Sequence, residues 1–223
     1  MKGGVLKRNL AIFDFCETLV SKQTADDFVY FYLSSNNKVF KKIVFKSLKS
    51  KFISILSRLN IYKPSKSTYL MLLKGEKRED LNAVGRIYAE ELIREYLCQN
   101  LFNVLKSHSD NGDEIVILSG GYDLYLKYCW PNLIDNIICT KISFSDDLCD
   151  GSIQGLDCLG YNKITLLNKV ICNDLSIYKE TYFYTDHVSD LPLLSIVSNP
   201  VVVNTNRSNL WAKERGFKIV EQK

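Results

Sequence analysis

The chain has 223 residues, 46% of them hydrophobic and 24% charged, which supplies enough apolar surface for a packed core and excludes a mainly disordered state. Its 29 basic and 25 acidic residues leave +4, too small an excess to mark a nucleic-acid surface. Seven cysteines without CxxC or Cys/His ligand spacing argue against a disulfide scaffold or a zinc site and for a reducing, cytoplasmic setting.

Residues 10–15 form a short apolar run around Asp14, which reads as a buried strand bringing an acid to its carboxyl end. Residues 28–33, 39–52, 54–59, 70–73 and 81–105 are rich in helical spacing and predict an inserted helical lobe. Within it Val39, Phe40, Ile43, Val44, Leu48 and Phe52 follow i, i+3, i+4 spacing, while Lys38, Lys41, Lys42, Lys46, Lys49 and Lys51 fill much of the rest. The expectation is a lobe helix with its apolar stripe inward and its lysines in water. Docking on a membrane surface or attraction of anionic substrates is the alternative. His108 is expected on the surface after the lobe.

Residues 115–118 predict a second buried strand running into Ser119-Gly120-Gly121. A helix over 122–130, a strand over 136–141, a turn-rich stretch with Asp150-Gly151 and a helix from Asn162 follow. Strands over 182–185 and 200–203 lead to Asp186 and Asn204. The apolar runs are of strand length, below the ~20 residues of a membrane span. In a parallel α/β sheet the carboxyl ends share one edge, and ligands bind there. The predicted organisation is an α/β core, residues 1–20 and 106–223, interrupted by a helical lobe, residues 21–105.

Four elements converge on that edge: Asp14 with its neighbours, Ser119-Gly120-Gly121, Lys163, and the segment from Asp186 to Asp190. Singly, each has an ordinary explanation as a cap, a turn or a surface charge. Together they suit phosphoryl transfer. A strand-end carboxylate can attack phosphorus to give an acyl phosphate, and Mg²⁺ held by a few carboxylates and the phosphate offsets the repulsion between anions. Asp14 and Asp186 would ligate the metal directly, with Asp190 acting through water or bracing the site. Ser119 and the amides that follow would hold phosphate oxygens, and Lys163 would neutralise nucleophile and phosphoryl group.

The motif 13–19, Ser119-Gly120-Gly121, Lys163, the stretch from Tyr184 to Leu194 and the closing 199–204 together resemble the haloacid dehalogenase superfamily, most closely its phosphoserine phosphatase-like subfamily IB. The resemblance implies a Rossmann-like parallel sheet sandwiched by helices, a helical cap of the C1 type, Mg²⁺, and an aspartyl-phosphate intermediate. It also implies phosphate contacts at Thr18, Ser119 and Gly120, and a third protein ligand to the metal at the Cys16 carbonyl.

Two departures qualify the resemblance. Family phosphatases carry a second aspartate two residues after the nucleophile, as acid and then base; here the position is Cys16. A thiol with a reference pKa of ~8.5, against ~3.9 for Asp, provides little base at neutral pH, and loss of positioned acid–base catalysis slows a reaction by ~10²–10⁴-fold. Glu17, then His187, are the candidates to replace it, with a group of the substrate as a further alternative; Cys16 itself is either a weak acid or a small buried thiol with no proton role. Phosphoserine phosphatases place an acid nine positions after the nucleophile to meet the substrate ammonium; here it is Gln23. The lobe would instead read its substrate with residues such as Gln23, Asp26, Asp27, Arg86 and Tyr88, for each of which a purely structural role is the competing reading. The expected function is a Mg²⁺-dependent phosphatase for a small phosphorylated metabolite, in a biosynthetic route such as surface polysaccharide assembly. The alternatives are a catalytically weak phosphate-binding protein and a lipid-phosphate phosphatase. No nucleic-acid partner is expected, and a membrane partner is disfavoured.

Overall fold

Strand β1 (Leu10–Phe13) is wholly buried and lies at the centre of a seven-stranded sheet. The computed structural model describes residues 7–171, 174–205 and 209–222. On one side of β1 lie β2 (Glu114–Tyr122), β3 (Asn136–Ser145) and β4 (Leu148–Gln154); on the other lie β5 (Thr181–Thr185), β6 (Asn199–Asn204) and β7 (Lys218–Glu221). All neighbours pair in parallel except β3 and β4. Phe13 is in register with Ile117 of β2 and Tyr184 of β5, so Asp14, Ser119 and Asp186 emerge near one edge. The chain leaves β1 toward β2 and later resumes at β5 on its other flank, a reversal of strand order that opens a crevice at the carboxyl ends.

Alternation along β1 divides the core into two layers. Ala11 and Phe13 face one apolar cluster, shared with Ile115, Ile117 and Val201; Leu10 and Ile12 face the other, with Val116, Leu118 and Phe183. The second layer is covered by α8 (Tyr161–Val170), α9 (Leu191–Leu194) and α10 (Leu210–Glu214), which bury Leu167, Leu193 and Ala212 there.

Between β1 and β2 run α1 (Ala25–Ser35), α2 (Val39–Leu48), α3 (Lys51–Arg58), α4 (Lys66–Leu70), α5 (Arg78–Tyr96) and α6 (Gln99–Asp110), with α7 (Asp123–Leu126) directly after β2. The expected lobe boundary at 105 falls inside α6, whose Leu101 and Leu105 are buried. The helix expected over 122–130 contracts to the four residues of α7. Among the described residues, no helix is long and apolar enough to cross a membrane.

The stretch 39–52 differs most from expectation. It breaks at Lys49 and Ser50, where the Ser50 hydroxyl accepts from the Ile53 amide (3.4 Å) and starts α3. Its apolar stripe also points outward: Val39, Phe40, Ile43 and Phe52 are exposed, Phe40 at 78%. The helix is turned by what it packs against. The buried Glu76 carboxylate holds Lys41 (2.7 Å) and Lys38 (3.0 Å) inward, and Phe45 closes on the rings of Tyr30 and Tyr69.

Two strands escape the sequence reading. β4 follows a tight turn in which Asp146 and Asp147 both take positive φ, a two-residue hairpin conformation normally signalled by glycine or asparagine. β7 is a four-residue edge strand with exposed ends. His108 is not a surface residue: its ring bonds Asp113 (2.6 Å) and the Tyr184 hydroxyl (2.9 Å) and packs against Tyr182. Cys16, Cys98, Cys129, Cys139, Cys149 and Cys158 are buried free thiols; Cys172 lies outside the described residues.

Candidate active site

The Asp14 amide donates to the Tyr184 carbonyl of β5 (2.9 Å), prolonging the ladder by one residue. The chain then turns, and the Phe15 amide donates to Asp14 Oδ1 (2.7 Å). Lys163, in the first turn of α8, is almost fully buried, with Nζ 3.4 Å from Asp14 Oδ1 and 2.6 Å from Asp190 Oδ2. Asp190 ends the 3₁₀ turn Val188–Asp190, and the same Oδ2 accepts from the Thr185 hydroxyl (2.7 Å). Asp186, one residue past β5, is buried beside them. A lysine shared by buried carboxylates persists because each charge has a partner. Burial raises the Asp14 pKa, Lys163 pulls it down and Asp190 pushes it up, with a net rise. Burial works against the Lys163 charge, but Asp14 and Asp190 outweigh it and hold the ammonium above its ordinary range.

These groups open onto a cavity of about 720 Å³ whose wall includes Asp14, Cys16, Gly120, Lys163, Asp186 and Asp190. The lobe contributes Gln23, Asp26, Lys49 and Lys66 to the same wall. Lys66 reaches across to the sheet: Nζ donates to the Gly120 carbonyl (2.6 Å) and Thr140 Oγ1 (3.2 Å) and pairs with Asp157. Lys49 pairs with Asp26 (2.7 Å).

Cys16 Sγ lies 3.0 Å from Thr24 Oγ1, which in turn lies 2.6 Å from the Tyr125 hydroxyl. Burial, then the nearby Asp14 charge, push the thiol above its ordinary pKa, so it is protonated at neutral pH and can donate. Ser119 Oγ is 3.9 Å from Cys16 Sγ and accepts from the Gly121 amide (3.1 Å).

Several sequence-designated residues sit elsewhere. Glu17 is not on the cavity wall; its carboxylate accepts from Gln23 Nε2 (2.6 Å), so it can orient Gln23. Thr18 is fully buried with its hydroxyl unpartnered, and Ser119 lies beneath the wall rather than on it. Asp27 is taken by Lys22 (2.7 Å) and the Tyr88 hydroxyl (2.7 Å), Tyr88 is fully buried, and Arg86 lies over the Tyr128 ring. None of these three lies on the cavity wall: Asp27 and Tyr88 bond each other inside the lobe, and Arg86 is exposed on its outside. His187 does reach the wall, its Nδ1 accepting from the Ser189 amide (3.1 Å).

Sequence reading missed Thr24, Tyr125, Lys66 and Asp157. For Asp157 a signal existed, the glycine-bounded loop 155–160. Nothing local distinguishes Lys66 from the other lysines of its segment.

Among the described residues, no group of three or more His, Cys, Asp and Glu side chains is arranged to hold a metal by itself. Asp190 Oδ2 is engaged by Lys163 and Thr185, and Asp14 Oδ1 by Lys163 and the Phe15 amide, so a metal here would draw on the carboxylates of Asp14, Asp186 and Asp190, on backbone oxygen and on water. Such a sparse, all-oxygen donor set fits Mg²⁺, which keeps waters and takes substrate phosphate as ligand, and does not fit zinc.

A sequence profile of the haloacid dehalogenase-like hydrolases matches residues 11–195. A histidinol-phosphatase of Neisseria meningitidis is 27% identical, over 97% of this chain and 100% of its own length. In structure, a protein of unknown function from Bordetella pertussis Tohama I superposes with a TM-score of 0.82 at 21% identity, covering 97% of this chain and 100% of that one. A probable phosphoserine phosphatase from Vibrio cholerae superposes with a TM-score of 0.66 at 14% identity, over 95% of this chain and 60% of that one. At these identities the two structures share the fold.

Proposed function

The chain belongs to the haloacid dehalogenase-like hydrolase family, and from that premise we propose that it is a phosphoric monoester hydrolase that cleaves a small-metabolite ester through an aspartyl phosphate on Asp14. The supporting observation is the buried constellation of Asp14, Lys163, Asp186 and Asp190 at the sheet's carboxyl edge, open to a cavity walled partly by the inserted lobe.

In this reading the Asp14 carboxylate attacks phosphorus as the ester P–O bond breaks, the departing oxygen takes a proton from the Cys16 thiol or from water, and water later hydrolyses the acyl phosphate to restore Asp14 and return the proton. Lys163 neutralises Asp14 and the arriving phosphoryl oxygens, while Asp190, whose carboxylate also accepts from the Thr185 hydroxyl, holds that ammonium in place. Gly120 lines the cavity, and in this reading the adjoining Ser119 hydroxyl and the Gly120 amide would meet phosphate oxygens. Asp14, Asp186 and the Cys16 carbonyl would hold Mg²⁺, which supplies electrostatic stabilisation of the transferring group. The helical lobe inserted between β1 and β2 acts as a cap whose Gln23, Asp26 and Lys49, on the cavity wall, face the leaving group. The buried free thiols suit a reducing compartment such as the cytoplasm.

Cys16 favours a second reading, a phosphate binder with weak turnover. The Neisseria relative makes histidinol phosphate one ester to test, with phosphoserine and sugar phosphates beside it. Phosphate release is expected from at least one ester with Mg²⁺, lost with chelator and in Asp14→Asn. Turnover surviving in Asp14→Asn would refute the mechanism; phosphate mimics that stabilise the protein while no ester turns over would select the second reading.

A further inference from the structure

We propose that the outer face of α2 and α3 docks on the surface of anionic lipid bilayers. Two helices here expose the side chains that a helix of a water-soluble domain normally hides. Val39, Phe40 and Ile43 of α2 are 66%, 78% and 58% exposed, and Phe52 and Ile55 of α3, with Leu59 just beyond it, are 67%, 54% and 63% exposed. Both sets follow helical spacing, so each forms a ridge along one face. Scattered exposed apolar residues need no explanation, but contiguous ridges of phenylalanine, isoleucine and leucine mark a binding surface.

The second observation is that α3 has no core face at all. None of its residues is buried, although lobe helices such as α1 and α5 bury four and six residues respectively. An eight-residue helix is marginal in water without packing, so its apolar ridge calls for an environment outside the chain.

Charge decides which environment. Between residues 28 and 75 there are ten lysines and arginines and no acidic residue, while the whole chain sums to +4, so the remainder is net acidic by six. Part of this charge is used internally, by Lys38 and Lys41 on Glu76, Lys49 on Asp26 and Lys66 on Asp157. Lys46, Lys51 and Arg58 are exposed and flank the ridges on the same helices. A second copy of the chain is a poor occupant, because self-association would juxtapose two patches of one sign and lysine is depleted from protein interfaces. An anionic bilayer meets both features: acyl chains accept the shallow phenylalanine and leucine ridges while headgroups meet the lysines. Lys49, at the junction of the helices, belongs to the cavity wall, so the docked segment is continuous with the active site.

The test is co-sedimentation of the full chain with phosphatidylcholine vesicles, with and without phosphatidylglycerol. Binding is expected only to the anionic vesicles, strong at low ionic strength and reversed by high salt. Lys46→Gln with Lys51→Gln should weaken the partition coefficient by roughly fivefold per charge. Phe40→Ser with Phe52→Ser should weaken it about tenfold or more at unchanged charge, with an unaltered melting temperature because both rings are already exposed. No binding at low salt, equal binding to both vesicle types, or full binding by the phenylalanine variant would overturn the proposal. A dimer in sedimentation equilibrium that Phe40→Ser dissolves would assign the face to a second copy instead.

Discussion

Cys16 stands at the position where the family resemblance implies a second aspartate. Its thiol is packed against Thr24, and through it Tyr125, within a buried ring of hydroxyl groups. A carboxylate there would gain two functions that the thiol performs poorly, proton donation to the leaving oxygen and later activation of water. We expect Cys16→Asp to raise the rate of phosphate release by about 10²-fold or more if acid–base catalysis limits turnover. An unchanged or lower rate, with the variant still folded, would show that the pocket around Thr24 and Tyr125 is built for a neutral group. Glu17 was the foremost substitute on sequence proximity, but its left-handed backbone (φ 53°) goes with a carboxylate that lies on Gln23 rather than in the cavity.

At the scale of elements, the packing of α5 on α7 shows how propensity yields to contact. Gly85 sits inside α5, where alanine would be the better helix former by about 1 kcal/mol. A Cβ at that position would lie 2.1 Å from the Leu124 carbonyl oxygen of α7, a clash with backbone that no rotamer relieves. Gly85→Ala is therefore expected to destabilise the fold by about 1–3 kcal/mol, read as a lower urea midpoint; a neutral or stabilised variant would mean that α7 can withdraw at little cost. The inversion of α2 is of the same kind. Its lysine-and-apolar spacing is compatible with two rotations about the helix axis. Glu76, more than thirty residues along the chain, selects the one that turns Lys41 inward.

For the whole molecule, Glu76 joins the lobe to the hairpin of β3 and β4. Its carboxylate accepts from Tyr32 of α1 (2.9 Å) and holds Lys38 and Lys41, while its backbone carbonyl accepts from the Cys149 amide (2.9 Å). Burial raises its pKa, but the bonds from Lys41, Lys38 and Tyr32 outweigh burial and leave it below the ordinary value. An acid whose folded pKa is depressed stabilises the fold above its unfolded pKa and loses that contribution as pH falls through the folded value. Glu76→Gln should thus lower stability by about 1–3 kcal/mol at neutral pH, with the gap from wild type closing as the medium is acidified below the usual glutamate range. A gap independent of pH would mean that shape rather than charge matters there. Lys66 ties lobe to sheet at the other side, through Gly120, Thr140 and Asp157.

What the sequence alone determined were features written in local pattern and chain order. The apolar runs ending on Asp14, Ser119 and Asp186 read as strands because parallel strands buried on both faces are nearly continuous hydrophobic segments. Their shared edge then placed Asp14, Lys163, Asp186 and Asp190 together. The tertiary structure decided what depends on partners remote in sequence. It turned the ridges of α2 and α3 outward, drew His108 into the sheet layer, withdrew Asp27, Arg86 and Tyr88 from the cavity and brought Lys66 to Gly120. Helical spacing tells which residues share a face, but not which way the face points, because that is settled by the charges and rings that other segments bring against it.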